Sequence, residues 1–138
     1  MNQNMSDCLR EEVFRYVKKK YNSEIEYLWA KFPDYAIFRH KDNRKWYGLV
    51  MNVPRYRLGL PGEDIVDVLN VKVGDPLLRD LLIRQDGYFP GYHISRGNWV
   101  SILLDGTVPM EDICPQIDGS YRATASRQTK KAISPGSL

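Results

Sequence analysis

Histidine and cysteine are scarce in this chain, with two of each among 138 residues. His40, His93, Cys8 and Cys114 lie far apart, and none forms a CxxC or HxxxH pair. A zinc or similar site normally draws on such closely spaced ligands, so no metal site is expected. No GxSxG, P-loop, HExxH or strand–GxGxxG–helix pattern occurs, so the sequence offers no catalytic residues and calls for no cofactor. No run of eighteen apolar residues is present, and no membrane span is expected. The first residues lack a basic stretch followed by an apolar one, so they do not read as a secretion signal. The cytoplasm is the expected location, and Cys8 and Cys114 read as reduced, buried thiols.

A strong charge of one sign is also missing. Twenty basic residues stand against seventeen acidic ones, for a net charge of +3. Arg122, Arg127, Lys130 and Lys131 all follow the last acid, Asp118. Without those four the body of the chain is nearly neutral, so the basic excess belongs to the C-terminal end. What the chain does have is an ordinary globular composition, 43% hydrophobic and 12% aromatic. That suits one compact domain able to bury a core without a staple.

The pattern along the chain gives the elements. Leu9, Val13, Tyr16 and Val17 share a helical face after a cap at Ser6 or Asp7, and Asn22-Ser23 ends that helix. Residues 35–39 and 46–53 read as a hairpin around a polar turn, and 65–72 as a third strand. Asp75-Pro76 is a helix start, with Leu77, Leu78, Leu81 and Leu82 on one side. Residues 92–95 and 99–104 read as two strands joined by Arg96-Gly97-Asn98. Met110, Ile113, Ile117 and Tyr121 mark a closing helix, either kinked or restarted at Pro115. The order is α-β-β-β-α-β-β-α. It predicts a two-layer α+β domain over residues 1–126, with an antiparallel five-stranded sheet and helices on one face. Residues 127–138 read as a disordered basic tail. Val66 and Val68 alternate with Leu69 and Val71, so both sides of the third strand are apolar. Dimerisation, or cover from the last helix, would account for the second side.

Two binding readings follow. Arg39, Lys41, Arg44, Lys45, Arg55 and Arg57 face Asp42 alone between positions 39 and 57, with Trp46, Tyr47 and Tyr56 interleaved. A basic hairpin with aromatic side chains could follow the phosphates of double-stranded DNA and contact a groove or a base face. The other reading is a protein- or peptide-interaction module, or a homodimer, that uses the apolar sheet face. An enzyme using Lys72, Tyr92 and His93 would need a deep pocket joining them.

Several segments together resemble one family. They are Phe32-Pro33-Asp34-Tyr35-Ala36-Ile37-Phe38-Arg39, Lys45-Trp46-Tyr47, and Leu69-Asn70-Val71-Lys72 followed by Asp75-Pro76. The most distinctive are Pro90-Gly91-Tyr92-His93 and Trp99 followed by Leu103-Leu104-Asp105-Gly106, with Ser120-Tyr121 closing the set. Over about residues 8 to 125 the chain resembles the bacterial YjbR/MmcQ-like proteins, departing from their pattern at Gly97 and Asn98. The resemblance implies a frataxin-like or secretion-chaperone-like fold and a DNA-binding role, with Lys72, Pro90, Tyr92, His93 and Trp99 as motif positions. Iron binding is not implied. It would want an acidic ridge, and Asp7, Glu11 and Glu12 are diluted by Arg10, Arg15 and three lysines.

Overall fold

A computed structural model describes residues 5–92, 94 and 98–133, with side chains from 9 to 132. Helix α1, Met5–Tyr21, leads into strands β1 (Ala36–Arg39), β2 (Trp46–Pro54) and β3 (Ile65–Lys72). Helix α2 (Pro76–Leu82), strands β4 (Tyr88–Pro90) and β5 (Trp99–Leu103), and helices α3 (Met110–Thr124) and α4 (Arg127–Ile133) complete the chain. The five strands form one antiparallel sheet in the order β1-β2-β3-β5-β4. The expected α+β architecture is therefore the observed one.

Local chemistry explains the boundaries. Asn22 takes a positive φ of 54°, and the Asn22 and Ser23 amides bond back to the Lys18 and Val17 carbonyls, which closes α1. Asp75 accepts from the Leu77 amide at 3.0 Å with Pro76 at the first helical position, as its sequence predicts. Helix α3 runs through Pro115 without restarting.

The sheet carries a core on each side. On one, α1 and α3 pack Val13, Val17, Ile113 and Ile117 against Phe38, Val50, Leu69, Val71 and Ile102. On the other, Ile37, Leu49, Met51, Val53, Val66, Val68 and Leu103 form a second cluster. Helix α3 packs on the first side and does not cover this second one. Trp29 and Tyr35 from the α1–β1 connection cover it, with Leu58, Leu60, Phe89 and Tyr92. Tyr47 is an extra residue in β2, because Arg39 pairs with Trp46 and Phe38 with Gly48. Such a bulge changes which side the following residues face. Trp46 and Leu49 consequently serve the second cluster and Tyr47 the first.

Three expectations are corrected. The fourth strand lies at Tyr88–Pro90 rather than 92–95; Tyr92 is in a turn, held by its amide on Ser101 Oγ at 2.8 Å. Of the α2 leucines only Leu82 is buried, because none of the described residues covers the side that carries Leu77, Leu78 and Leu81. Residues 127–133 form α4 instead of continuing as a tail, because Ser126 and Thr129 find partners on the β1–β2 turn. His93, Ser95, the Arg96-Gly97 turn, the side chain of Cys8, the caps at Ser6 and Asp7, and residues 134–138 lie outside the described residues. Cys114 is a half-buried thiol, with burial raising its pKa.

Candidate nucleic-acid interface

The seven residues singled out between positions 39 and 57 do not form one stripe. Lys45 and Arg55 flank nine-residue β2, which spans about 27 Å at roughly 3.4 Å per residue. That is about three screening lengths at 0.1 M salt. Two of the six charges are also spent inside the fold. Arg39 bonds Glu26 through Nε at 2.9 Å and Nη2 at 2.6 Å, and Arg55 meets Asp105 at 3.6 Å and the Pro61 carbonyl at 3.1 Å.

Lys41, Arg44 and Lys45 remain exposed in the β1–β2 turn. Arg44 has a φ of 66°, a left-handed turn residue that carries its side chain outward from a tight bend. The turn's single acid stays ionised and docks α4. Asp42 accepts from Ser126 Oγ at 2.5 Å and Thr129 Oγ1 at 3.0 Å, and these bonds lower its pKa. Asn43 Nδ2 donates to the Thr124 carbonyl at 3.0 Å. These contacts seat the N-terminal end of α4 on the turn. Helix α4 has seven residues and is about 10 Å long. Its exposed Arg127, Lys130 and Lys131 therefore lie within about one screening length of the turn. Six cations share one end of the molecule, and none of the six pairs with a carboxylate among the described residues.

A groove of about 570 Å³ runs along the second side of the sheet. Leu49, Met51 and Val53 of β2 form its floor. Its walls are Trp29, Phe32, Tyr35, Trp46 and Tyr92, and Arg57 lies at the far end. The rings support each other: Trp29 meets Tyr35 and Trp46 edge-on at 5.9 and 5.7 Å, and Phe32 stacks on Tyr35 at 4.7 Å. Arg57 sits over the Tyr56 ring at 5.8 Å, and hydrogen bonds with Tyr56 and Tyr92 raise its pKa.

The described motif positions lie in the sheet and the turn beside it. Pro90 pairs with Val100 on the edge strand, and Lys72 with Trp99. Asn70, Ser101 and the Tyr92 amide form a buried chain of hydrogen bonds that fixes the Pro90–Tyr92 turn. Gly91 is tight here: a Cβ would lie 2.9 Å from Trp99 Cβ and 2.7 Å from the Ile94 carbonyl oxygen. Among the described residues no cluster of three His, Cys, Asp or Glu could hold a metal, and no helix is long and apolar enough to cross a membrane. Trp29 is absent from the residues that the sequence singles out, and Phe32 and Tyr35 enter there only as part of the segment that carries the family resemblance, not as binding residues.

Fold and site together define a small two-layer α+β domain with a basic end and an aromatic groove beside it. The chain belongs to the YjbR family, whose sequence profile matches residues 18–123. It is 43% identical over 115 residues to the uncharacterised protein YyaQ of Bacillus subtilis (strain 168), covering 83% of this chain and 97% of YyaQ. It is also similar to a protein of Pseudomonas syringae in its crystal structure, with 39% identity, a TM-score of 0.80, and 84% of this chain and 98% of that one covered. Protein DR2400 of Deinococcus radiodurans, 22% identical with a TM-score of 0.63 over 90% of this chain and 87% of its own, shares the fold.

Proposed function

We propose that this protein is a non-enzymatic DNA-binding protein that grips the phosphate backbone with its basic end. One observation carries the reading: docking of α4 through Asp42 merges Lys41, Arg44 and Lys45 with Arg127, Lys130 and Lys131 into one patch. Phosphate contacts by lysine and arginine release counterions and give affinity without sequence preference. A cytoplasmic location goes with that reading, as does the free thiol of Cys114.

Fluorescence anisotropy with a labelled duplex at several salt concentrations tests it. Each phosphate contact removed should flatten the slope of log K against log salt by about 0.9. Arg44→Ala/Lys45→Ala and Lys130→Ala/Lys131→Ala should each lower the slope by up to about 1.8. Arg55→Ala should leave it unchanged, because Arg55 is paired with Asp105. No salt-dependent binding by the full chain, or an equal loss from Arg55→Ala, would overturn the proposal.

A second reading, a protein-interaction module or homodimer, is favoured by the exposure of Leu77, Leu78 and Leu81 at 68%, 42% and 53%. Light scattering on the full chain decides whether that face pairs two copies.

A further inference from the structure

We infer that the aromatic groove holds unpaired nucleotides, so that the protein prefers single strands to duplex. This rests on the proposed function, because the same basic end supplies the first phosphate contacts. Position is the first argument. The groove follows β2, beginning at Trp46, the residue after Lys45, and ending at Arg57. A strand gripped at the β1–β2 turn is thereby led along the rings beside β2, which is about 27 Å long, toward a second cation, Arg57, at its far end. At roughly 3.4 Å per stacked nucleotide, that length suits no more than about eight nucleotides.

Chemistry is the second argument. No carboxylate lines the groove among the described residues, and its one charge is the Arg57 guanidinium. Walls of aromatic rings beside a cation match a flat base attached to a phosphate, and stacking on such rings tolerates any base. Phe32 is the accessible platform, 48% exposed although stacked on Tyr35. A duplex keeps its base faces covered and could use only the basic end. The opposite side of the sheet offers no such platform, because α1 and α3 pack on it.

The test uses the full chain with fluorescein-labelled oligothymidylate of about twelve nucleotides, longer than the groove, and a duplex of equal length. The single strand should bind about tenfold more tightly than the duplex. Phe32→Ala and Arg57→Ala should each weaken single-strand binding about tenfold, the effect of losing one stacked base, and leave duplex binding unchanged. Both side chains are exposed, and circular dichroism checks that the variants fold. Equal affinity for the two probes, or no effect of Phe32→Ala on the strand, would overturn the groove while leaving the basic end intact. Thymidine monophosphate competing as strongly as the strand would overturn the strand as occupant. If neither probe binds at low salt, both readings fall together.

Discussion

Gly48 lies directly beneath Phe38. A Cβ built there would lie 1.8 Å from the Phe38 ring, which is itself fully buried. The bulge at Tyr47 turns residue 48 toward the helix side of the sheet, and only a missing side chain leaves room for the ring. Gly48→Ala should therefore cost at least about 3 kcal/mol, the upper end for overpacking, in urea denaturation. Phe38→Leu in the same chain should recover part of that loss. His40, 3% exposed, makes a different point. Its Nε2 contacts the Tyr121 carbonyl at 3.0 Å and Thr124 Oγ1 at 2.9 Å, and Thr124 donates its own proton to the Ser120 carbonyl. Both partners of Nε2 are acceptors, so Nε2 carries the proton and Nδ1 is a bare acceptor, without a partner among the described residues. Burial lowers the pKa of His40 below 6.5, against the Tyr121 carbonyl, which raises it. A lowered pKa favours the neutral ring in the fold. The stabilisation is complete above about pH 6.5 and is lost as pH falls below it. Urea midpoints measured from about pH 8 down to about pH 5 should fall in the wild type and flatten in His40→Gln.

At the scale of elements, the hairpin and the two C-terminal helices form one unit. Asp42 is the N-terminal anchor of α4, and Thr129 donates its amide to Ser126 Oγ at 3.2 Å, completing the cap. A seven-residue helix has little stability of its own, so its persistence depends on this docking. Asp42→Ala should raise hydrogen-exchange rates at residues 130–133 and leave β2 and β3 protected. Equal protection of α4 in that variant would show that Asp42 does not hold it. The sequence signal for α4 was weak, because Ser126 and Thr129 gain their helix-starting role only by meeting an aspartate 84 and 87 positions away. Helices α1 and α3 have a comparable tie. Asp118 accepts from Tyr16 at 2.9 Å, Tyr21 at 2.6 Å and Lys20 at 3.0 Å. Burial alone would raise the Asp118 pKa, but these donors outweigh it and hold the carboxylate below its ordinary range.

For the whole molecule, charge placement matters more than net charge. A value of +3 on 138 residues predicts little about nucleic acid. The fold pairs Arg39 and Arg55 with carboxylates and gathers six cations around the single carboxylate of Asp42 at one end. The expected salt dependence in DNA binding is thus a property of the assembled end. The basic turn and the basic C-terminal segment contribute to it together, although each looks like a separate patch in sequence.

Sequence by itself determined the order α-β-β-β-α-β-β-α, the end of α1 at Asn22-Ser23, the start of α2 at Asp75-Pro76 and the antiparallel architecture, because capping residues and strand periodicity act over a few neighbouring positions. It also showed that β3 is apolar on both sides. Tertiary structure alone decided what covers the second side, since the packing of Trp29 and Tyr35 against β2 depends on how the α1–β1 connection crosses the sheet. It likewise decided that the cations of residues 39–57 divide between two ends while α4 joins one of them. A strand about 27 Å long separates neighbours in sequence, and hydrogen bonds across 84 residues bring distant charges together.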